Sequence, residues 1–339
     1  DQFRPEEGLA NLSNRCVRIN QNKFLMNILV TGACGYKGSV LVPVLLDNEH
    51  NVLACDSEWF GNFLLPHPNL IYQKKDIRQL HQDDFKDIDV VIHLANVAND
   101  PAVELNHTLS WEVNVLCSQQ ICDYAMRSNV KHVIYASSGS VYGLKDEPNV
   151  TEDLSLVPIS TYNKTKMVAE RVFLSYSDSF KVHCVRPATV CGVSPRMRLD
   201  VAVNMLTHQA LTKHEITILG GNQTRPNIHI DDIANLYLHL IKNGESIPSG
   251  CYNAGFENIS IRDIATMIQG KIPCNLIFKE SNDPRSYRQD SSKILATGFK
   301  PVKSVEIAID EIVSSFESGT LPQGDNCFTV KWMKSNNLS

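Results

Sequence analysis

The sequence predicts an α/β protein: a doubly wound parallel sheet with a smaller, discontinuous C-terminal lobe. Three observations lead there. Apolar, β-rich runs at 27–31, 51–55, 69–72, 89–94, 131–137 and 181–186 alternate with helix-length segments at 37–47, 103–128 and 160–177. Such alternation builds βαβ units whose strands are buried on both faces. The stretch ILVTGACGYKGSVLVPVLL, residues 28–46, sets three glycines three residues apart between the first strand and the first helix. After Arg186 the rhythm breaks into shorter pieces. With right-handed crossovers, a doubly wound sheet is the leading topology.

Beyond Arg186, a helical segment near 200–212 and a short strand at 215–219 precede RPNIHIDDIANLYLHLI, which reads as a helix from Asp232. CYNAG, 251–255, reads as one more strand of the main sheet, and 258–316 add helices and a strand at 275–278. The expected organisation is an N-terminal extension (1–25) with no function assigned and a sheet domain (26–186) to which 225–255 return. A substrate-binding lobe comes from 187–224 and 256–320, followed by a tail (321–339).

At 339 residues with 43% hydrophobic content, the chain can bury one large domain or two smaller ones. Net charge is −5, and the cations are scattered among acids without a basic stripe, so nucleic acid is not an expected partner. The longest apolar runs are strand-sized, short of a membrane span. Residues 1–25 are polar and lack the apolar core of a signal peptide, and Met26 stands immediately before the first strand. The ten cysteines form no CxxC pair, and Cys34, Cys55 and Cys184 lie in apolar runs as small core residues. That usage points to a reducing, cytoplasmic setting. No clustered metal-ligand spacing is present, and His93 reads as a packed strand residue.

The glycines have a physical rationale. Gly32 ends the strand, Gly35 lets backbone approach a ligand where a Cβ would obstruct it, and Gly38 lets the helix pack closely. The helix N-terminus behind them suits a pyrophosphate. Alone, a glycine-rich structural turn explains the spacing as well. The context adds Asp56, at the end of the second strand, placed to grip the hydroxyls of an adenosine ribose; its plainer reading is a turn residue. No Lys or Arg follows closely to receive a 2′-phosphate, which favours NAD over NADP.

Tyr162 and Lys166 stand at i and i+4 on one helix face. An ammonium near a phenol favours phenolate and moves its pKa down from about 10. A solvated helix face has the same spacing. YASSGSVYG, 135–143, runs from a buried-looking strand into small hydroxyl residues, either a serine-rich loop or hydroxyls at the ligand-binding edge of the sheet.

In this order, the three motifs resemble the extended short-chain dehydrogenase/reductase family, in particular its NAD-dependent nucleotide-sugar epimerases and dehydratases, over about Met26 to Pro301. TGxxGYxG matches at Thr31–Gly38, including Tyr36 and Lys37, and YxxxK matches at Tyr162–Lys166. The resemblance implies a Rossmann-type fold and a catalytic set of Ser138, Tyr162 and Lys166. It implies cofactor contacts from Gly32, Gly35, Tyr36, Lys37, Gly38, Asp56, Asp76, Ile77, Leu94, Ala95, Tyr162, Lys166 and Pro187. It also implies substrate contacts from Ser140, Thr189, Arg225, Arg285 and Arg288. Arg225 matches an arginine directed at the substrate diphosphate, a role suited to a guanidinium; a surface pair with Asp231 or Asp232 is the plainer reading.

The departures carry information. Family dehydratases bear Thr-Asp-Glu or a close variant where this chain has Ser138-Gly139-Ser140, so 4,6-dehydration is disfavoured. Thr189 and Cys191 replace a common asparagine and tyrosine, leaving the sugar open. The expected function is an NAD-dependent epimerase of a nucleotide-diphosphate sugar, acting by transient oxidation at C4. The alternative is a sugar oxidase or 4-keto-reductase without epimerisation, and a non-catalytic NAD-binding regulator stands further off. The resemblance implies a homodimer built on the 103–128 and 160–177 helices; Val168, Val172 and Tyr176 give the second a partly apolar face, and the same stripe also suits packing on the sheet.

Overall fold

The structure, a computed structural model, describes residues 25–280 and 286–338. Seven parallel strands form the main sheet in the order β10-β6-β5-β4-β1-β2-β3. They are β1 (Asn27–Thr31), β2 (Asn51–Asp56), β3 (Leu70–Lys74), β4 (Val90–His93), β5 (His132–Ala136), β6 (Lys181–Pro187) and β10 (Gly250–Ala254). The central strands β4 and β5 are buried along their whole length, as their near-continuous apolar runs require. On β1, Ile28 and Val30 face a core with Leu41, Leu45, Ile233 and Tyr237. Leu29 faces the opposite core, with Ile121, Val133, Phe173 and Val182. Order reverses between β1 and β4, which opens a crevice at the carboxyl ends of the strands.

The second lobe holds β7 (Thr189–Cys191), β8 (Glu215–Leu219), β9 (Thr224–His229), β11 (Glu257–Ser260) and β12 (Asn275–Lys279). They pair as a β11-β9-β7 sheet and a β12-β8 ribbon. The lobe has its own core, in which Val203, Leu206, Ile264, Ile268 and Ile309 pack around Ile216 and Ile218.

Three elements differ from expectation. The 103–128 helix is broken into Asp100–Val103, His107–Trp111, a π turn at Glu112–Leu116, and Cys117–Arg127. Asn106 restarts the chain by accepting from the Leu109 amide. The helix expected from Asp232 begins at Ile230, capped by the His229 ring accepting from the Asp231 amide at 3.1 Å. Residues 321–339, expected as a tail, include the Thr329–Ser335 helix. That helix folds back on the loop after β2, with Trp332 Nε1 donating to the Trp59 carbonyl at 2.6 Å and Asn326 to the Phe60 carbonyl at 3.0 Å. The expected 1–25 extension lies outside the described residues except for Leu25. Among the described residues no helix is long and apolar enough to cross a membrane.

Candidate active site

A cleft of about 660 Å³ runs along the carboxyl edge of the sheet, walled by the glycine turn, the ends of β2, β4, β5 and β6, and the C-terminal helix. The three glycines have distinct duties. Gly32 adopts φ +71°, and a Cβ there would fall 2.6 Å from the Ala95 amide nitrogen. A Cβ on Gly38 would fall 2.4 Å from the Gly32 carbonyl oxygen. Both are therefore forced by close packing. Gly35 lines the cleft, where an added Cβ would meet the Gly32 carbonyl oxygen at 3.2 Å. The first helix, Gly38–Asp47, starts there with no side-chain cap and no acid in its first turn. Its positive end suits an anion.

Asp56 is fixed by the Cys34 amide at 2.9 Å and the Glu58 amide at 2.7 Å, and burial raises its pKa. Lys37, Leu94, Ala95, Asp76, Ile77 and Pro187 line the same cleft. The Asp76 carboxylate is taken up by Arg78 at 2.8 Å, so Asp76 shapes the wall. Tyr36 is buried and joins the two lobes, donating to the Gly192 carbonyl at 2.8 Å and accepting from Asn204 at 3.0 Å. An uncapped helix start, a cleft-lining glycine in a tightly packed turn and a fixed carboxylate together fit a dinucleotide.

At the other end of the cleft, Ser138 caps the short turn Gly139–Tyr142. Its hydroxyl shares a 2.7 Å hydrogen bond with Ser140. Tyr162, on the helix Thr161–Leu174, faces the same space. Burial pushes its phenol up to about 12, while the Ser138 hydroxyl and Arg198 pull it down. The Lys166 ammonium donates to the Ala136 carbonyl at 2.6 Å and lies 5.8 Å from the centroid of the Tyr162 ring. Burial and the neighbouring Lys37 hold Lys166 well below the ordinary lysine range.

Thr189 and Arg225 line the cleft with Ser138 and Ser140. Asp231 pairs with Lys303 at 2.6 Å, and Asp232 accepts from the Val302 and Lys303 amides. Arg288 is exposed and outside the lining, where Tyr287 stands instead. Arg285 lies outside the described residues. His93 is fully buried, bonded to Thr31 at 2.7 Å and pushed down to about 3 by burial, as a packed residue should be. His229, Asp231 and Glu311 converge, with the Lys303 ammonium 2.6 and 2.5 Å from the two carboxylates.

Several site residues escaped the sequence reading. The π turn carries Asn114, whose amide bonds the Val97 backbone at 2.8 and 3.1 Å and Thr165 at 3.1 Å. This ties the cleft floor to the Tyr–Lys helix. Arg196, Arg198, Trp59, Phe60 and Thr329 also line the cleft. Only the paired cations in SPRMRLD carried any local signal.

A parallel sheet with this strand order, glycine turn and strand-end carboxylate defines a dinucleotide-dependent enzyme of Rossmann type. Residues 28–255 match the model of the NAD dependent epimerase/dehydratase family, and the chain belongs to that family. It is 30% identical over 295 residues to an uncharacterised UDP-glucose epimerase of Bacillus subtilis (strain 168), covering 79% of this chain and 90% of that one. It is 27% identical over 325 residues to a putative UDP-glucose 4-epimerase of Methanocaldococcus jannaschii, covering 91% and 99%. Among solved structures, a Bacillus cereus UDP-glucuronic acid 4-epimerase in complex with UDP-glucuronic acid and NAD superposes with a TM-score of 0.76 at 28% identity, covering 85% and 99%. The protein is an NAD-dependent enzyme of the nucleotide-sugar epimerase group.

Proposed function

We propose that the protein inverts C4 of a nucleotide-diphosphate sugar by transient oxidation, with Ser138, Tyr162 and Lys166 as its reacting set. The observation that carries this reading is the meeting of the Ser138 and Tyr162 hydroxyls in one cleft, beside the turn that cradles a dinucleotide. The bound NAD supplies the hydride acceptor and, when oxidised, a positive charge beside the phenol. Tyr162 takes the proton from the C4 hydroxyl as the C4 hydride leaves, and returns it when the ketone is reduced on its opposite face. Ser138 hydrogen-bonds the same oxygen. Lys166 holds the nicotinamide ribose and adds charge that favours the phenolate. Thr189 and Ser140 touch the sugar, and Arg225 meets the substrate diphosphate.

Two features support epimerisation over dehydration: Ser138-Gly139-Ser140 offers no carboxyl group to protonate a departing C6 oxygen, and several relatives are described as 4-epimerases. The protein works as a homodimer in the cytoplasm. Tyr162→Phe tests the assignment, since it removes one oxygen and keeps the ring. Turnover of UDP-glucose or UDP-glucuronic acid, whichever the unmutated protein epimerises, should fall by about 100-fold or more, with NAD affinity unchanged. Full turnover in the variant would remove Tyr162 as the acid–base group.

A further inference from the structure

The cleft wall contains a buried cation with no task in the scheme above. Arg196 is 3% exposed and lines the cleft. Its guanidinium lies 4.0 Å from the centroid of the Phe60 ring. Nη2 donates to Thr329 Oγ1 at 3.2 Å, and Nη1 reaches the Met197 carbonyl only at 3.5 Å. Nε is buried without a hydrogen-bond partner. Among the described residues no carboxylate forms an ion pair with it, whereas Arg198, two residues on, is paired with Asp200 at 2.8 Å. A buried cation without a counter-charge is costly to a fold, so its retention in a cleft wall points to a ligand that brings the missing negative charge.

Position identifies the ligand group. The Arg196 amide approaches Ser39 Oγ at 3.4 Å, and the Ser194 hydroxyl donates to the Tyr36 carbonyl at 2.8 Å. This seats the segment against the first turn of the helix whose N-terminus opens on the cleft. We infer that Arg196 is a positioning charge for the diphosphate of the bound dinucleotide, fixed in the cleft wall by Phe60 and the C-terminal helix. The loop and helix that hold it are themselves joined through Trp332–Trp59 and Asn326–Phe60. The C-terminal segment is thus part of the cofactor site. Burial and Arg198 push the guanidinium down to about 10, and Asp200, which makes no ion pair with it, opposes that shift only in part. A 2′-phosphate is the other source of the same anion, but the fixed Asp56 carboxylate would repel it.

The inference rests on the NAD reading of the cleft and not on the reaction, so its test reads binding alone. Calorimetry on the full chain, freed of nucleotide, compares ADP, adenosine and adenosine 2′-phosphate. Arg196→Met should weaken ADP by about 10-fold or more and leave adenosine within about 2-fold, while Arg196→Lys keeps most of the ADP affinity. Unchanged ADP binding in a folded Arg196→Met, or equal losses for ADP and adenosine, would overturn the inference. So would a larger loss for adenosine 2′-phosphate than for ADP. If Arg196→Met does not fold, Thr329→Val decides: it removes only the hydroxyl that holds Nη2 and should weaken ADP by about 3-fold, and ADP binding at full strength in that variant overturns the proposal.

Discussion

Lys37 stands at the N-cap of the first helix, and burial with the nearby Arg198 pushes its ammonium down to about 8 from 10.5. Below that value the group is charged and adds to the field that attracts a diphosphate; above it the charge is lost. ADP affinity should therefore fall between about pH 7 and about pH 9, and Lys37→Met should remove that part of the pH dependence. Stability of the ligand-free fold has the opposite sign. The folded pKa lies below the unfolded one, so the Lys37 contribution improves as pH rises from about 8 to 10.5. Urea titrations of the two proteins across that window isolate it; identical pH profiles would show that Lys37 does not titrate there. At this scale the sequence was legible wherever a role is local. The tight turn at Gly32 and Gly38 shows in the local spacing, whereas Tyr162 and Lys166 stood out from an ordinary helix face only with the other two motifs beside them. Arg196 was not legible, because its meaning depends on Phe60 and on Thr329, 133 positions further along the chain.

The helix Thr161–Leu174 bears Tyr162 and Lys166, the proposed reacting groups, and one carboxylate anchors it. Ser160 starts it by accepting from the Asn163 amide at 3.1 Å. Tyr162, Lys166 and Glu170 then share a face at i, i+4 and i+8. Glu170 is fully buried and accepts from Arg186 at 2.9 and 2.8 Å and from the Ser137 hydroxyl at 2.5 Å. One group thereby fixes the helix to the ends of β5 and β6, beside Ser138 and Pro187. Glu170→Gln keeps the shape and leaves the Arg186 charge buried without its counter-charge. A loss of about 3–5 kcal/mol of unfolding free energy follows, measured by urea titration; a loss under about 1 kcal/mol would show that the pair does not anchor the helix. The strands and this helix were readable as period and composition. The broken 100–127 helix was not, because its apolar pattern continues through the π turn, and the turn's cause, Asn114 reaching Val97 and Thr165, is tertiary. The C-terminal helix read as a tail because it is short and polar, held by side-chain bonds to a distant loop.

For the whole molecule, the outer surface and the cleft make separate demands. Of the expected interface residues Val168, Val172 and Tyr176, the last two pack against the core, and the Tyr176 hydroxyl donates to Asp123 at 2.5 Å. The apolar surface left exposed on the neighbouring helical segment is Leu116 and Met126, at 59% and 42%. A homodimer should use these, and sedimentation at micromolar concentration should show it; monomer alone would remove the dimer. In the proposed reaction, one carbinol bound in the cleft is oxidised and the same ketone reduced within a single visit. Deuterium on C4 of the nucleotide sugar tests this most directly. Hydride that leaves and returns without exchange keeps the label on C4 of the inverted sugar, and no NADH accumulates. Label found in released NADH, or a product that has lost it while keeping its configuration, would contradict the epimerase account and make the protein a simple sugar oxidoreductase.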